Sequence, residues 1–199
     1  MPRDVYGANL CISMNFGLIL YSSRARRAGL SLSIWPTWIN TLFCSAIDNN
    51  LFASSKISII VSDWNNEITE LLYDGALTKL LEHGVKEENI KKYNVAGSME
   101  LVFLSQYLLN KNKNLSGIIS LGCIIKGETN HDKYIAYSVS KGLMDVSLKF
   151  NKPVIFGVLT TNNKKQAFER SGGKFGNKGE ESSIALLKTL KIIQETNSK

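Results

Sequence analysis

The sequence predicts an α/β fold: a four-stranded parallel sheet held between two layers of helices, a three-layer αβα sandwich. Short β-branched runs alternate with amphipathic stretches four times between residues 56 and 193. The first run, KISIIVS, is short and β-branched, which suits a buried strand. At 199 residues and 44% hydrophobic, the chain is long enough for one well-buried domain and short for two. Strand–helix alternation calls for parallel pairing, whereas a sandwich of strands alone needs more turns and fewer amphipathic segments.

The first strand is KISIIVS, residues 56–62. Past residues 63–66 the period changes: Ile68, Leu71, Leu72, Ala76, Leu80 and Leu81 share one helical face as far as His83, and Gly84 stops the helix. IKKYNV, residues 90–95, reads as a second strand leading through Gly97 and Ser98 into a helix over 99–111. GIISLGCII, residues 117–125, is the third strand, followed by a long helical pattern over 131–149. Pro153 opens the fourth strand, PVIFGVLT, at a position where a strand tolerates proline. A short helix over 163–170, a glycine-rich turn over 172–179 and a last helix over 180–193 complete the body.

Charge divides the chain near residue 55. Residues 1–55 carry four arginines against two acids; residues 56–199 carry nineteen lysines and one arginine against fifteen acids. The first 55 residues also hold SSRARR and WPTW and show no sustained period. Residues 1–50 are therefore set apart as an N-terminal extension, with three readings open: an organellar (plastid) presequence, an extension with little packing, or an over-long gene model. Residues 51–199 form the domain. The net charge of +7 invites a nucleic-acid reading, but the lysines are scattered among acids with no basic stripe interleaved with aromatics. No stretch has the roughly 18 apolar residues of a membrane span, so neither nucleic acid nor membrane is an expected partner. Cys11, Cys44 and Cys123 match no metal spacing and no even disulfide framework, and only His83 and His131 offer imidazoles. A reducing, cytoplasmic setting without metal or cofactor is expected, organellar if the extension is a presequence.

In doubly wound sheets, ligands bind beyond the carboxyl ends of the strands. Those ends fall at residues 62–66, 96–100, 122–131 and 159–162, and they hold the unusual combinations. SGGKFGNKG resembles a phosphate loop but lacks the Walker order, since Asn177 follows Gly176 and Gly179 follows Lys178. It reads either as a turn or as a device carrying Arg170 and Lys178 toward a ligand. In GETNH, Gly127 and Thr129 precede a helix start where backbone N–H groups and a hydroxyl suit an anion. His131 there suits proton transfer near neutral pH, the plain alternative being a polar residue facing water. Arg170 is the only arginine in a body that uses lysine nineteen times. Its planar fork grips phosphate or carboxylate in two places, as lysine does not. Trp64, beside asparagines at a strand end, suits a flat polar heterocycle. His83 reads as a helix C-terminal residue.

With SDWNNEI, VAGSMEL, LGCIIKGETNHDKY, NKPVIFGVLTT and ERSGGKFGNKG in this order, residues 56–193 resemble the lumazine synthase family. The resemblance implies a flavodoxin-like fold and a condensation in riboflavin biosynthesis. There, 5-amino-6-(D-ribitylamino)uracil and 3,4-dihydroxy-2-butanone 4-phosphate give 6,7-dimethyl-8-ribityllumazine, without metal or organic cofactor. It implies that Trp64 stacks on the pyrimidine beside Asn65, and that Gly97, Ser98, Met99 and Glu100 with Ile124 and Ile125 meet ring and ribityl chain. Gly127, Glu128 and Thr129 cradle the phosphate, completed by Arg170. His131 transfers protons with Glu181 as acidic partner, while Phe156 and Lys178 close the pocket from a neighbouring subunit. The implied assembly is a homopentamer or a 60-subunit shell of twelve pentamers, with riboflavin synthase as a partner. This chain has Ala96 for the usual proline, Met99 for an aromatic, Asp63 for a frequent arginine, and Asp132 and Lys133 where an aromatic and an acid are usual. Two alternatives to catalysis stay open: a flavodoxin-like ligand-binding protein and a shell-forming structural protein.

Overall fold

The computed structural model describes residues 51–198; the predicted extension at 1–50 lies outside the described residues. Four parallel strands, β1 (Ile57–Ser62), β2 (Ile90–Val95), β3 (Gly117–Ile125) and β4 (Val154–Thr161), form a sheet in the order β2-β1-β3-β4. β1 is buried at every position and β3 at all but its last, which is why both lack polar alternation. β2 is an edge strand, so Lys91 and Lys92 stay exposed on it.

Helices α1 (Asn66–Glu82), α2 (Glu100–Lys111) and α3 (His131–Phe150) connect the strands. α4 (Lys164–Glu169) leads through a hairpin of β5 (Ser171–Gly173) and β6 (Gly176–Asn177) into α5 (Lys178–Asn197). α2 packs with α3 on one face of the sheet, over a core containing Ile60, Leu101, Ile118, Val139 and Leu143. α1 packs with α5 on the other. All four predicted strands are present in register and parallel. The last part differs from the expectation: the stretch expected to be a turn is an antiparallel hairpin, and the last helix runs from Lys178 to Asn197 rather than over 180–193. Asn177 explains the earlier start, because its Oδ1 accepts from the N–H groups of Gly179 and Glu180.

α1 and α5 approach closely through glycines. A Cβ on Gly179 would lie 1.8 Å from the Leu72 carbonyl oxygen, and one on Gly75 would lie 2.4 Å from the Asn177 amide. The Asn177 amide also donates to the carbonyls of Leu71 and Ser171. One buried side chain thus ties the hairpin, the start of α5 and the middle of α1 together. Among the described residues, no helix is long and apolar enough to cross a membrane.

Candidate active site

The strand order reverses between β1 and β3, because the chain steps outward to β2 after β1 and then returns to the other side for β3. Such a reversal opens a crevice at the carboxyl ends of the strands. A pocket of about 250 Å3 lies there, lined by Trp64, Gly97, Ser98, Met99, Glu100, Cys123, Ile124, Ile125, His131 and Ile135. A larger cavity of about 410 Å3 opens at the amino ends of β1 and β2, bordered by Lys56, Lys91 and Lys111. It holds none of the predicted site residues, and its end of a parallel sheet is not where the crevice forms.

The loop after β1 is clamped from both sides. The N–H groups of Asp63 and Trp64 continue the parallel pairing onto the carbonyls of Val95 and Ala96. Asp63 also accepts from the Asn94 amide at 2.7 Å. Asn65 takes left-handed backbone angles (φ 62°), which asparagine tolerates better than most residues. Its amide crosses the crevice to donate to the Cys123 carbonyl at 3.0 Å. Asn65 thus spans the reversal point rather than lining the pocket. The fixed backbone holds the Trp64 ring outward, 73% exposed, over the mouth.

On the β2 side, Ser98 is buried against Gly122, where a Cβ would lie 2.8 Å from its hydroxyl. Met99 and Glu100 are exposed at the start of α2. Cys123 and Ile135, which the sequence did not single out, complete the wall. Burial, and then the charge of Glu67, push the Cys123 thiol up to about 11, so it is no nucleophile at neutral pH. Glu100, with its exposed carboxylate, is placed to accept from hydroxyls.

Gly127, Glu128 and Thr129 follow β3 as an exposed loop into α3, whose first residue is His131. His131 Nδ1 lies 2.7 Å from the Thr129 hydroxyl. The ring is folded over Gly127, where a Cβ would lie 2.6 Å from its Cε1. Backbone N–H groups at a helix start, a hydroxyl and an imidazole are thereby grouped together, and of them His131 lines the pocket.

The other predicted residues form a second group, at the start of α5. The Arg170 fork meets the Glu181 carboxylate in two contacts of 2.6 and 2.9 Å and also donates to the Phe175 carbonyl. Lys178 Nζ lies 3.3 Å from the same carboxylate. The Arg170 hydrogen bond, followed by that of Lys178, outweighs burial and holds Glu181 below the usual carboxylate range. The Glu181 hydrogen bond raises Arg170 in turn. None of Arg170, Lys178 and Glu181 lines the pocket; they sit with the hairpin and α5, on the α1 face of the sheet. Within one chain Glu181 pairs with Arg170, and the neighbour of His131 is Thr129. Phe156 is half-buried in β4 against the α2–α3 core, away from the pocket.

One chain therefore brings an exposed indole, a carboxylate and an imidazole together around the pocket. It presents a cationic group elsewhere. Among the described residues, no three His, Cys, Asp or Glu side chains are grouped to hold a metal ion.

Sequence comparison places this geometry in a known group. A family described as 6,7-dimethyl-8-ribityllumazine synthase matches residues 54–194. The 6,7-dimethyl-8-ribityllumazine synthase of Cytophaga hutchinsonii is 54% identical over 138 residues, covering 69% of this chain and 86% of that protein. Its counterpart in Bacteroides fragilis is 42% identical over 142 residues, covering 71% and 99%. That of Coxiella burnetii is 41% identical over 143 residues, covering 72% and 94%. The matched segment begins just before β1 and carries both the pocket and the Arg170 group, so the chain belongs to the 6,7-dimethyl-8-ribityllumazine synthase family.

Proposed function

We propose that this chain condenses 5-amino-6-(D-ribitylamino)uracil with 3,4-dihydroxy-2-butanone 4-phosphate to 6,7-dimethyl-8-ribityllumazine, phosphate and water, a step of riboflavin biosynthesis. The observation that carries the reading is the pocket at the strand reversal, where Trp64, Glu100 and His131 converge in a chain of this family. The chemistry asks little more of a protein. The uracil brings an amine that is already a nucleophile, and the ketone phosphate brings its own leaving group. Imine formation expels water, loss of a carbon-bound proton allows phosphate to leave, and attack of the ribitylamino nitrogen with loss of a second water closes the ring. Trp64 covers one face of the pyrimidine, Glu100 holds ribityl hydroxyls, residues 127–129 hold the phosphate, and His131 moves protons. Holding two reactants in attacking geometry is worth on the order of 7–11 kcal/mol in favourable cases, and one histidine adds ~10²–10⁴-fold.

The second group enters from a neighbouring chain. Arg170, Lys178 and Phe156 complete the pocket of another copy, and the substrate phosphate takes the place that Glu181 occupies on the Arg170 fork. Two different apolar surfaces support such a contact. Phe103, Tyr107, Tyr134, Tyr137 and Leu148 are exposed on α2 and α3, while Leu71, Phe168, Phe175 and Ile192 are exposed on the other helical layer and its hairpin. Unlike surfaces that mate head to tail close into rings. A homopentamer is the ring proposed, with a 60-subunit shell and a riboflavin synthase partner as further levels of assembly. Light scattering and co-purification test those levels.

Turnover with both purified substrates, followed by appearance of the lumazine, tests the activity. Formation of product is expected; ligand binding or shell assembly without product would favour a non-catalytic role. Arg170→Lys keeps the charge and loses the fork. Charge-assisted contacts are worth roughly 1.5–3 kcal/mol, so kcat/KM for the ketone phosphate should fall at least about tenfold. The KM for the uracil should change little.

A further inference from the structure

Thr129 stands between the anion loop and the proton carrier. Its hydroxyl lies 2.7 Å from Nδ1 of His131, and the imidazole is folded over Gly127 so closely that a Cβ there would lie 2.6 Å from Cε1. Nδ1 is thereby engaged, and Nε2 is the nitrogen left for a substrate in the pocket that His131 lines.

A threonine hydroxyl has one proton to give and two lone pairs with which to accept. The hydrogen bond to His131 is the only one of Thr129 Oγ1 among the described residues. A neutral imidazole in water favours the tautomer with its proton on Nε2, and Nδ1 then accepts the hydroxyl proton of Thr129. A phosphate in the loop alters the assignment. Its oxygens take the hydroxyl proton, so Oγ1 turns a lone pair toward His131. Nδ1 must then be the protonated nitrogen, and Nε2 becomes bare.

We infer that Thr129 is a positioning residue that couples occupancy of the phosphate loop to the tautomer of His131: Nε2–H when the loop is empty, Nε2 bare when it is filled. In the neutral ring, one proton leaves Nε2 for water as another reaches Nδ1 from water. The inference rests on the reading of residues 127–129 as the phosphate site. It makes His131 a base at the proton removal that lets phosphate leave and a hydrogen-bond donor afterwards. While the substrate phosphate is bound, His131 is a base, as removal of the carbon-bound proton requires. Once phosphate has left, Nε2–H can donate a hydrogen bond to the oxygen that departs as water during ring closure.

The test is 15N solid-state NMR of the sedimented full-length protein labelled at histidine, without and with inorganic phosphate. Only two histidines contribute. His83 serves as internal reference, because its Nδ1 faces the Lys79 carbonyl at 2.8 Å and must carry the proton to bond there. For His131, the attached proton is expected on Nε2 without phosphate and on Nδ1 with it. Thr129→Ser should switch in the same way, and Thr129→Val should give one tautomer under both conditions. Thr129 is exposed, so neither variant threatens the fold. In turnover at saturating substrates, Thr129→Val should lower kcat by about tenfold, with serine restoring it to within about threefold of the parent. An unchanged His131 tautomer while 31P signals report bound phosphate would overturn the coupling, as would a switch that survives in Thr129→Val. Failure of phosphate to bind at all would instead overturn the phosphate-site reading beneath it, and the 31P signal keeps the two failures apart.

Discussion

Arg170 and Glu181 carry the clearest electrostatic signature among the site residues. The fork holds the carboxylate in two contacts, and this hydrogen bonding outweighs burial in lowering the Glu181 pKa. A carboxyl lowered by folding stabilises the native state fully above its unfolded pKa, about 4.3 for glutamate. That contribution is lost as pH falls through the lower, folded value. Comparing thermal unfolding of the parent and Glu181→Gln across pH should therefore show a gap that is widest above about pH 5 and closes in acid. With the Glu181 side chain 45% exposed, solvent screening keeps the gap modest. A gap of constant width would mean that the pair contributes through packing alone. On the proposed role of Arg170, a phosphate would take the place of Glu181 on the same fork.

At the scale of elements, Asn177 does the most joining. It caps α5, bonds the hairpin at Ser171 and bonds α1 at Leu71, all from a buried position over Gly75. Asn177→Ala loses the cap, worth about 0.5–2 kcal/mol, and strands two carbonyls at further cost. A total loss of roughly 2–4 kcal/mol is expected, read as a clear fall in the unfolding midpoint; an unchanged midpoint would show that the hairpin is held some other way. β1, β3 and β4 were legible in the sequence because each is a nearly continuous apolar run, β2 from its place in the alternation, and α1 to α3 because each keeps one apolar face. The hairpin was not, since Gly172, Gly173 and Gly176 supply no side chains from which to read an alternation. The capping asparagine just before α5 was a readable signal that would have corrected the start of that helix. Trp64 and His131 were legible because they sit at predicted strand ends, Gly97 to Glu100 with Ile124 and Ile125 only through the resemblance, and Cys123 and Ile135 not at all. The Arg170–Glu181 contact was not, because it joins residues eleven apart across a hairpin with no period of its own. Asn65 was placed among substrate contacts by resemblance, and its amide is taken up by the Cys123 carbonyl.

At the scale of the whole domain, Arg170, Lys178 and Glu181 lie with the α1–α5 layer, away from the pocket, and both helical layers expose aromatic and aliphatic side chains. Monomers rarely leave such sets uncovered, and the proposed sharing of a site between chains would cover them. Mixing two inactive variants measures this directly. Trp64→Ala damages the pocket half, and Lys178→Ala damages the half supplied by a neighbour. Dissociated, mixed in equal amounts and reassembled, they form rings in which about a quarter of contacts join two intact halves, by simple probability for head-to-tail contacts. The account predicts recovery near a quarter of the activity of wild-type protein taken through the same procedure. Mixed rings no more active than the parent variants, beside full recovery of the wild-type control, would place the complete site within one chain and contradict it.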